Sequence, residues 1–212
     1  MGARFLDDEA RAAFKEAIEA IESASGVEVV VAIRRRSAGY FHANLIVGLV
    51  AAFAGLAVML FSSASFGLLS ILVDPFIAGA LAAGAIELTP GIKRLLTPPS
   101  VRRRHVDQAA RATFVDRGVH NTLDRSGLLV YISWLEQQIA LVADSGLLRS
   151  ATPEVIAAAQ AEANAAMQGG GAAVARALVA YKDLLSTAMP RRAEDLNELP
   201  DAIDHDFPEH RA

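Results

Sequence analysis

From Ser37 to Ile86 the chain runs for 50 residues with one formal charge, Asp74. No other feature restricts the fold so severely. The remaining 162 residues carry 43 Asp, Glu, Lys and Arg side chains, the ordinary density of a soluble domain. Together these describe a soluble-type domain interrupted by an apolar insert, not a disordered chain. A fully helical insert would reach about 75 Å at about 1.5 Å per residue, against a hydrocarbon core about 30 Å thick. Two crossings with a tight turn fit this length; one or three do not. The expected crossings are 43–61 and 67–87, with Ser62, Ser63, Ala64, Ser65 and Phe66 between them. A buried pair of core helices is the alternative, but 212 residues do not readily wrap an uncharged hairpin of this size.

Flanking charge sets the expected orientation. Arg34, Arg35 and Arg36 precede the hairpin, Lys93, Arg94, Arg102, Arg103 and Arg104 follow it, and the turn has no cation. Both termini are therefore expected in the cytoplasm, in a multi-pass protein of the cell membrane. A hairpin returns the chain to the side it left, so residues 1–42 and 88–190 are expected to form one discontinuous domain. Residues 191–212 read as an acidic, mostly solvated tail. Residues 1–25 are charged and amphipathic, without the apolar core of a secretory signal. The absence of cysteine excludes disulfides, thiolate catalysis and cysteine-held metals.

The soluble parts carry clear element signals. Asp7, Asp8 and Glu9 suit a helix N-terminus, Leu6, Phe14, Ile18 and Ile21 form its apolar stripe, and Gly26 is placed to end it. Val27 to Ile33 is a β-branched run expected to be covered on both faces. A helix is predicted from Ser100 to Arg117, with Gly118 at its stop. Gly127 to Ser133 and Ile139 to Ala143 read as an antiparallel hairpin turning at Trp134–Gln138. Thr152, Pro153 and Glu154 start a helix that ends near Gly169, and a last one runs to about Ala188. The predicted class is α+β: a small mixed sheet whose first two strands are parallel across a βαβ crossover, with a β-hairpin and flanking helices, the membrane hairpin lying inside the crossover. Because Arg34 leads straight to the first crossing, the turn at Trp134, Leu135 and Glu136 is expected near the bilayer. Loops at the opposite end are the place expected for any pocket.

Three segments carry a family resemblance: Gly26-Val-Glu-Val-Val-Val31, Ala110 to Phe114 with Thr122 to Ser133, and Leu135-Glu-Gln-Gln-Ile-Ala-Leu-Val-Ala-Asp-Ser-Gly146. They resemble the TPM domain, and the whole chain resembles bacterial membrane proteins of that family. In those proteins two transmembrane helices are inserted after the first strand, and the chain closes on a motif like Asn197-Glu-Leu-Pro-Asp201. Thr122-Leu-Asp-Arg-Ser-Gly127 and Glu136-Gln-Gln138 depart from the usual pattern by losing basic residues. The resemblance implies a location in the bacterial inner membrane and a binding, assembly or maintenance role for membrane protein complexes. Its alternative implication is a calcium-dependent, acid-phosphatase-like activity.

The residues themselves offer few chemical candidates. No phosphate-binding glycine loop with lysine is present, so a phosphatase would need metal-held water. Asp124 and Asp144 fall at the open end of the strand hairpin, with residue 128 expected opposite 144. They are either oxygen ligands for a hard cation such as calcium or turn formers bonded to nearby backbone. A net charge of −4 and the lack of aromatic residues among the basic ones argue against nucleic acid. The basic flanks suit anionic headgroups, so the lipid bilayer and other membrane proteins are the expected partners. Asp74 is the exception within the insert, since a carboxylate in a crossing costs about 2.5–3.5 kcal/mol on insertion scales. It marks association with another helix, including a homo-oligomer, or an ion path through one.

Overall fold

The computed structural model describes residues 5–192, 198–199 and 202–207. The chain divides into two compact units, Met1–Ser37 with Arg103–Ala212, and Ala38–Arg102. The class is mixed α+β, as expected, with a small mixed four-stranded sheet and two apolar helices.

The first unit is built on β1 (Glu28–Arg34), β2 (Gly127–Ser133), β3 (Gln138–Ala143) and β4 (Asp204–His205), in the spatial order β3-β2-β1-β4. β1 and β2 are parallel, with Val30 opposite Leu129, and β2 and β3 are antiparallel. Leu128 lies opposite Ala143, one position from the expected 144. The cause is Gln137, whose φ of 52° closes the connection in four residues. Alternation divides the sheet's side chains between two layers. Val29, Val31, Ile33, Val130 and Ile132 pack with α1 (Asp8–Ala24), α7 (Pro153–Ala166), α8 (Gly171–Val179) and α9 (Lys182–Ala188) through Phe14, Ile18, Ala163, Val174 and Leu185. Val30, Ala32, Leu129 and Tyr131 meet Val106 and Ala110 of α5 (Pro99–Asp116) on the other face. Two buried faces explain why β1 and β2 read as continuous apolar runs.

The helix ends follow their local chemistry. Asp7 caps α1 by accepting from the Ala10 N–H at 2.9 Å. The helix stops at Ala24, before the expected glycine, because Ser25 is already extended and the Gly26 N–H donates to the Met189 carbonyl at 2.8 Å. Gly118, in contrast, ends α5 with φ at 65°, and the Val119 N–H reaches back to the Phe114 carbonyl, as in a glycine C-cap. A short helix not expected from the sequence, α6 (Ser145–Ser150), follows β3.

The C-terminal segment corrects an expectation. Over its described part it is not a solvated tail. β4 adds to the edge of β1, pairing Asp204 with Ala32 and His205 with Ile33, and Phe207 enters the core. Asp204 is held by two arginines, pairing with Arg34 and, at 2.6 Å, with Arg117. The Asp206 carboxylate accepts from the Arg35 N–H at 2.7 Å. The charge of Asp204, which looks solvated in sequence, is locally neutralised in the fold.

The second unit is a helical pair, α2 (Phe41–Phe61) and α3 (Leu68–Ala85), followed by a single 3₁₀ turn and α4 (Pro90–Leu96). Both long helices are apolar enough to cross a membrane, and only 6% and 17% of their apolar windows are buried. Core helices would be mostly buried, so the low burial counts against that alternative. The two helices meet through small residues. A Cβ on Gly79 would lie 2.7 Å from the Gly48 carbonyl oxygen and 3.1 Å from the Ala52 Cβ. Such contact needs glycine and is the mode by which helices associate in lipid.

Candidate functional site

Asp124 and Asp144 lie in neighbouring loops of the first unit, but each carboxylate has its own partner. Asp144 caps α6, its Oδ1 accepting from the Ser145 N–H at 2.5 Å, as turn-forming aspartates do. Its buried Oδ2 makes no hydrogen bond and sits 3.9 Å from Arg125 Nη1. Arg125 has φ at 54°, and its carbonyl accepts from the N–H groups of Gly146 and Leu147, which ties the two loops together. Asp124 is exposed and accepts from Arg192 Nη1 at 2.9 Å. Two guanidinium groups therefore occupy positions that a cation would need. Among the described residues no group of three or more His, Cys, Asp or Glu is placed to hold a metal ion, so the calcium expectation gains no geometric support.

The most concentrated polar cluster of this unit lies at the other end of the strands. Glu136, in the turn between β2 and β3, is fully buried. Its Oε1 accepts from the Ser37 N–H at 2.9 Å, and its Oε2 accepts from the Ser133 hydroxyl. Ser37 Oγ donates to Ser133 Oγ at 2.8 Å and lies 3.2 Å from the Tyr131 hydroxyl. Each hydroxyl has one proton, so the chain of donors must run from Tyr131 to Ser37, from Ser37 to Ser133, and from Ser133 to Glu136. Burial pushes the Tyr131 phenol above its ordinary range, outweighing the Ser37 hydrogen bond and the Arg34 charge, which act the other way. The hydroxyl thus stays a donor through neutral pH.

Local geometry explains why these groups converge. The Trp134 and Leu135 N–H groups donate to the carbonyls of Arg34 and Arg35, both at 2.9 Å, extending the β1–β2 pairing past the strands' ends. Ser37 is thereby drawn alongside the β2–β3 connection. Ser133 and Glu136 are both 0% exposed, so no substrate reaches them, and the cluster positions backbone instead of performing chemistry. It fixes Ser37, the last residue before the chain enters the helical pair. The available sequence signal was the interruption of an apolar strand by Tyr131 and Ser133, two residues apart on one face, followed by Glu136.

In the second unit Asp74 is exposed on α3, while Pro75 and Gly79 are buried against α2. Among the described residues Asp74 has no hydrogen-bond or ion-pair partner. Asn44, the one polar amide of α2, is engaged elsewhere: its Nδ2 donates to Glu87 Oε1 at 2.7 Å. The other oxygen of Glu87 pairs at 2.7 Å with Lys93, whose side chain is 5% exposed. A compact acid–base–amide group therefore closes the open end of the helical pair, a group that sequence reasoning missed.

These features define a class: a mixed α+β domain with a parallel β1–β2 pair, interrupted between those strands by a pair of long apolar helices. Its fold is similar to that of the BA42 protein from the psychrophilic bacterium Bizionia argentinensis sp. nov., solved by NMR. The likeness has a TM-score of 0.57 at 14% identity, over 95% of this chain and 96% of that one. At that identity it establishes the fold alone. No family model matches the chain, and no curated protein matches it.

Proposed function

We propose that this chain is an integral membrane protein whose α2–α3 hairpin anchors a TPM-like domain, and that it works as a binding and assembly module for membrane protein complexes. The observation that carries this reading is Asp74, a carboxylate without a partner among the described residues, on the exposed side of an apolar helix. A charged group within a crossing is costly unless paired, and α2 provides nothing to pair with it. A second helix, from another protein or another copy, supplies the missing donor. The burial of Ser133 and Glu136 favours binding over hydrolysis. An ion path through Asp74 would need a polar lining along α3, which its exposed Leu69, Leu72, Phe76 and Leu81 do not provide.

The test is the size of the complex extracted in mild detergent. Asp74→Leu is expected to reduce it to the size of the isolated chain, while Asp74→Asn, which can still hydrogen-bond across helices, retains part of it. Unchanged size for Asp74→Leu overturns the reading. The cation-rich flanks support an orientation with both termini in the cytoplasm, and the lack of native cysteine makes that easy to check. In intact cells an impermeant thiol reagent is expected to label Ser63→Cys and to spare Ser186→Cys. The opposite pattern reverses the orientation.

A further inference from the structure

The edge of the sheet at β3 is only partly closed. The outward N–H groups of Ile139 and Leu141 are capped by side chains of α7: Asn164 Oδ1 accepts from Ile139 at 2.8 Å and Gln160 Oε1 from Leu141 at 2.9 Å. Asn164 Nδ2 also donates to the Ile139 carbonyl at 3.0 Å. Such capping is how proteins blunt an edge strand. Ala143 is the next outward position of the same alternating row, since its neighbour Asp144 turns its N–H inward to the Gly127 carbonyl. Among the described residues no side chain caps Ala143. The protection stops one position short.

Beside this gap lies an open groove of about 340 Å³. Its floor is apolar, including Val142 and Ile156, and one rim is α5, which presents Arg103, Asp107 and Arg111 in successive turns. None of these three forms an ion pair or hydrogen bond among the described residues, although the i,i+4 spacing would allow pairs. The rim thus offers a plus, minus, plus pattern with its charges unspent. Arg103 and Arg111 are eight residues apart on the helix, about 12 Å along its axis. Side chains at positions i and i+4 of an extended strand are about 13 Å apart and point the same way.

We propose that this groove receives an extended segment of a partner protein carrying an acid–x–base–x–acid pattern. The acids meet Arg103 and Arg111, the base meets Asp107, the intervening apolar residues point the opposite way, toward Ile156 of α7, and a backbone carbonyl accepts from the Ala143 N–H. This is strand addition at a sheet edge in a shortened form: with Ile139 and Leu141 capped, Ala143 supplies the main-chain contact and side-chain charge and spacing supply the rest. A lipid headgroup or a nucleic acid fits less well, because phosphates would be repelled by Asp107 at the middle of the rim, whereas a peptide can alternate its sign. The inference deepens the binding-module reading by naming the chemistry of a partner segment.

The test uses the full chain in detergent micelles and a fluorescein-labelled Gly-Val-Glu-Val-Lys-Val-Glu-Val-Gly peptide. This probe is expected to bind at least about tenfold more tightly than its sign-reversed counterpart, with Lys and Glu exchanged. Arg103→Glu combined with Arg111→Glu, both at exposed positions, is expected to abolish that preference without altering the melting transition. Hydrogen exchange of the Ala143 amide is expected to slow when the probe binds. Equal binding of the two peptides, or an unchanged preference in the charge-reversed variant, overturns the proposal. So does protection of Ala143 by phosphatidylglycerol vesicles but not by the peptide, which would assign the groove to lipid. Because the Asp74→Leu experiment reads helix association separately, an Asp74-dependent complex that survives with no peptide preference removes only the groove.

Discussion

Glu136→Ala is expected to destabilise the α+β unit by about 4 kcal/mol, among the largest effects of any polar substitution in this chain. The reasoning rests on what the carboxylate leaves behind. Its two oxygens accept from the Ser37 N–H and the Ser133 hydroxyl, and each buried donor left unsatisfied costs about 1–3 kcal/mol. Denaturation of the full chain, followed through its single tryptophan, reads this directly, because Trp134 lies within the same connection. Ser133→Ala leaves Glu136 with the Ser37 N–H and costs less, about 1–3 kcal/mol, because it strands the buried Glu136 Oε2 and takes the acceptor from Ser37 Oγ. The double variant is expected to be less destabilised than the sum of the two, with a coupling of about 1–2 kcal/mol. A Glu136→Ala variant within about 0.5 kcal/mol of the parent, the range of ordinary surface changes, would show that the cluster holds nothing together.

That cluster also marks where sequence reasoning stops. The strands β1 and β2 were legible because burial on both faces demands continuous apolar residues, and Val29 to Ile33 and Gly127 to Ile132 supply them. The turn at Glu136 was located but its burial was not. A glutamate between strands reads as exposed unless its acceptors are known to be used, and the Ser37 N–H is 99 residues away in sequence. β4 failed for a related reason. Its acids suggest solvent, and only the fold brings Arg34 and Arg117 to Asp204. Ile203 and Phe207 were the available signal, apolar residues on the same side of a short extended segment, one in the core and one packed against it.

The candidate site was legible to different degrees. Asp144 and Asp124 lie in adjoining loops, and the sequence offered no means of seeing that Arg125 and Arg192 would claim them. Asp74 stood out by count alone. Which way it faces was not readable, since α3 is apolar on every side and has no amphipathic pattern to orient it. Its direction follows from packing: Pro75 and Gly79 are the buried positions, and a residue adjacent to Pro75 turns well away from them at about 100° per residue.

This dependence gives the second large effect. Gly79→Leu is expected to force α2 and α3 apart, because even a Cβ at that position falls 2.7 Å from the Gly48 carbonyl oxygen. The obstruction is backbone, so no side-chain rotation relieves it. Between helices in lipid there is no hydrophobic gain to oppose separation, and close packing supplies much of the attraction. Overpacking of this kind costs about 1–3 kcal/mol, and the axes should relax toward the 8–10 Å spacing of larger side chains. The absence of native cysteine allows spin labels at Phe41→Cys and Leu88→Cys, both exposed positions near the open end of the pair. Their separation is expected to lengthen and broaden in Gly79→Leu and to change little in Gly84→Ala, where a Cβ meets nothing within 4 Å. An unchanged distance distribution in Gly79→Leu would sink the close-packed interface. If the separation does grow, α3 is no longer held by its Pro75–Gly79 side, and Asp74 loses its fixed direction. The Asp74-dependent complex should then weaken in Gly79→Leu although the carboxylate itself is untouched.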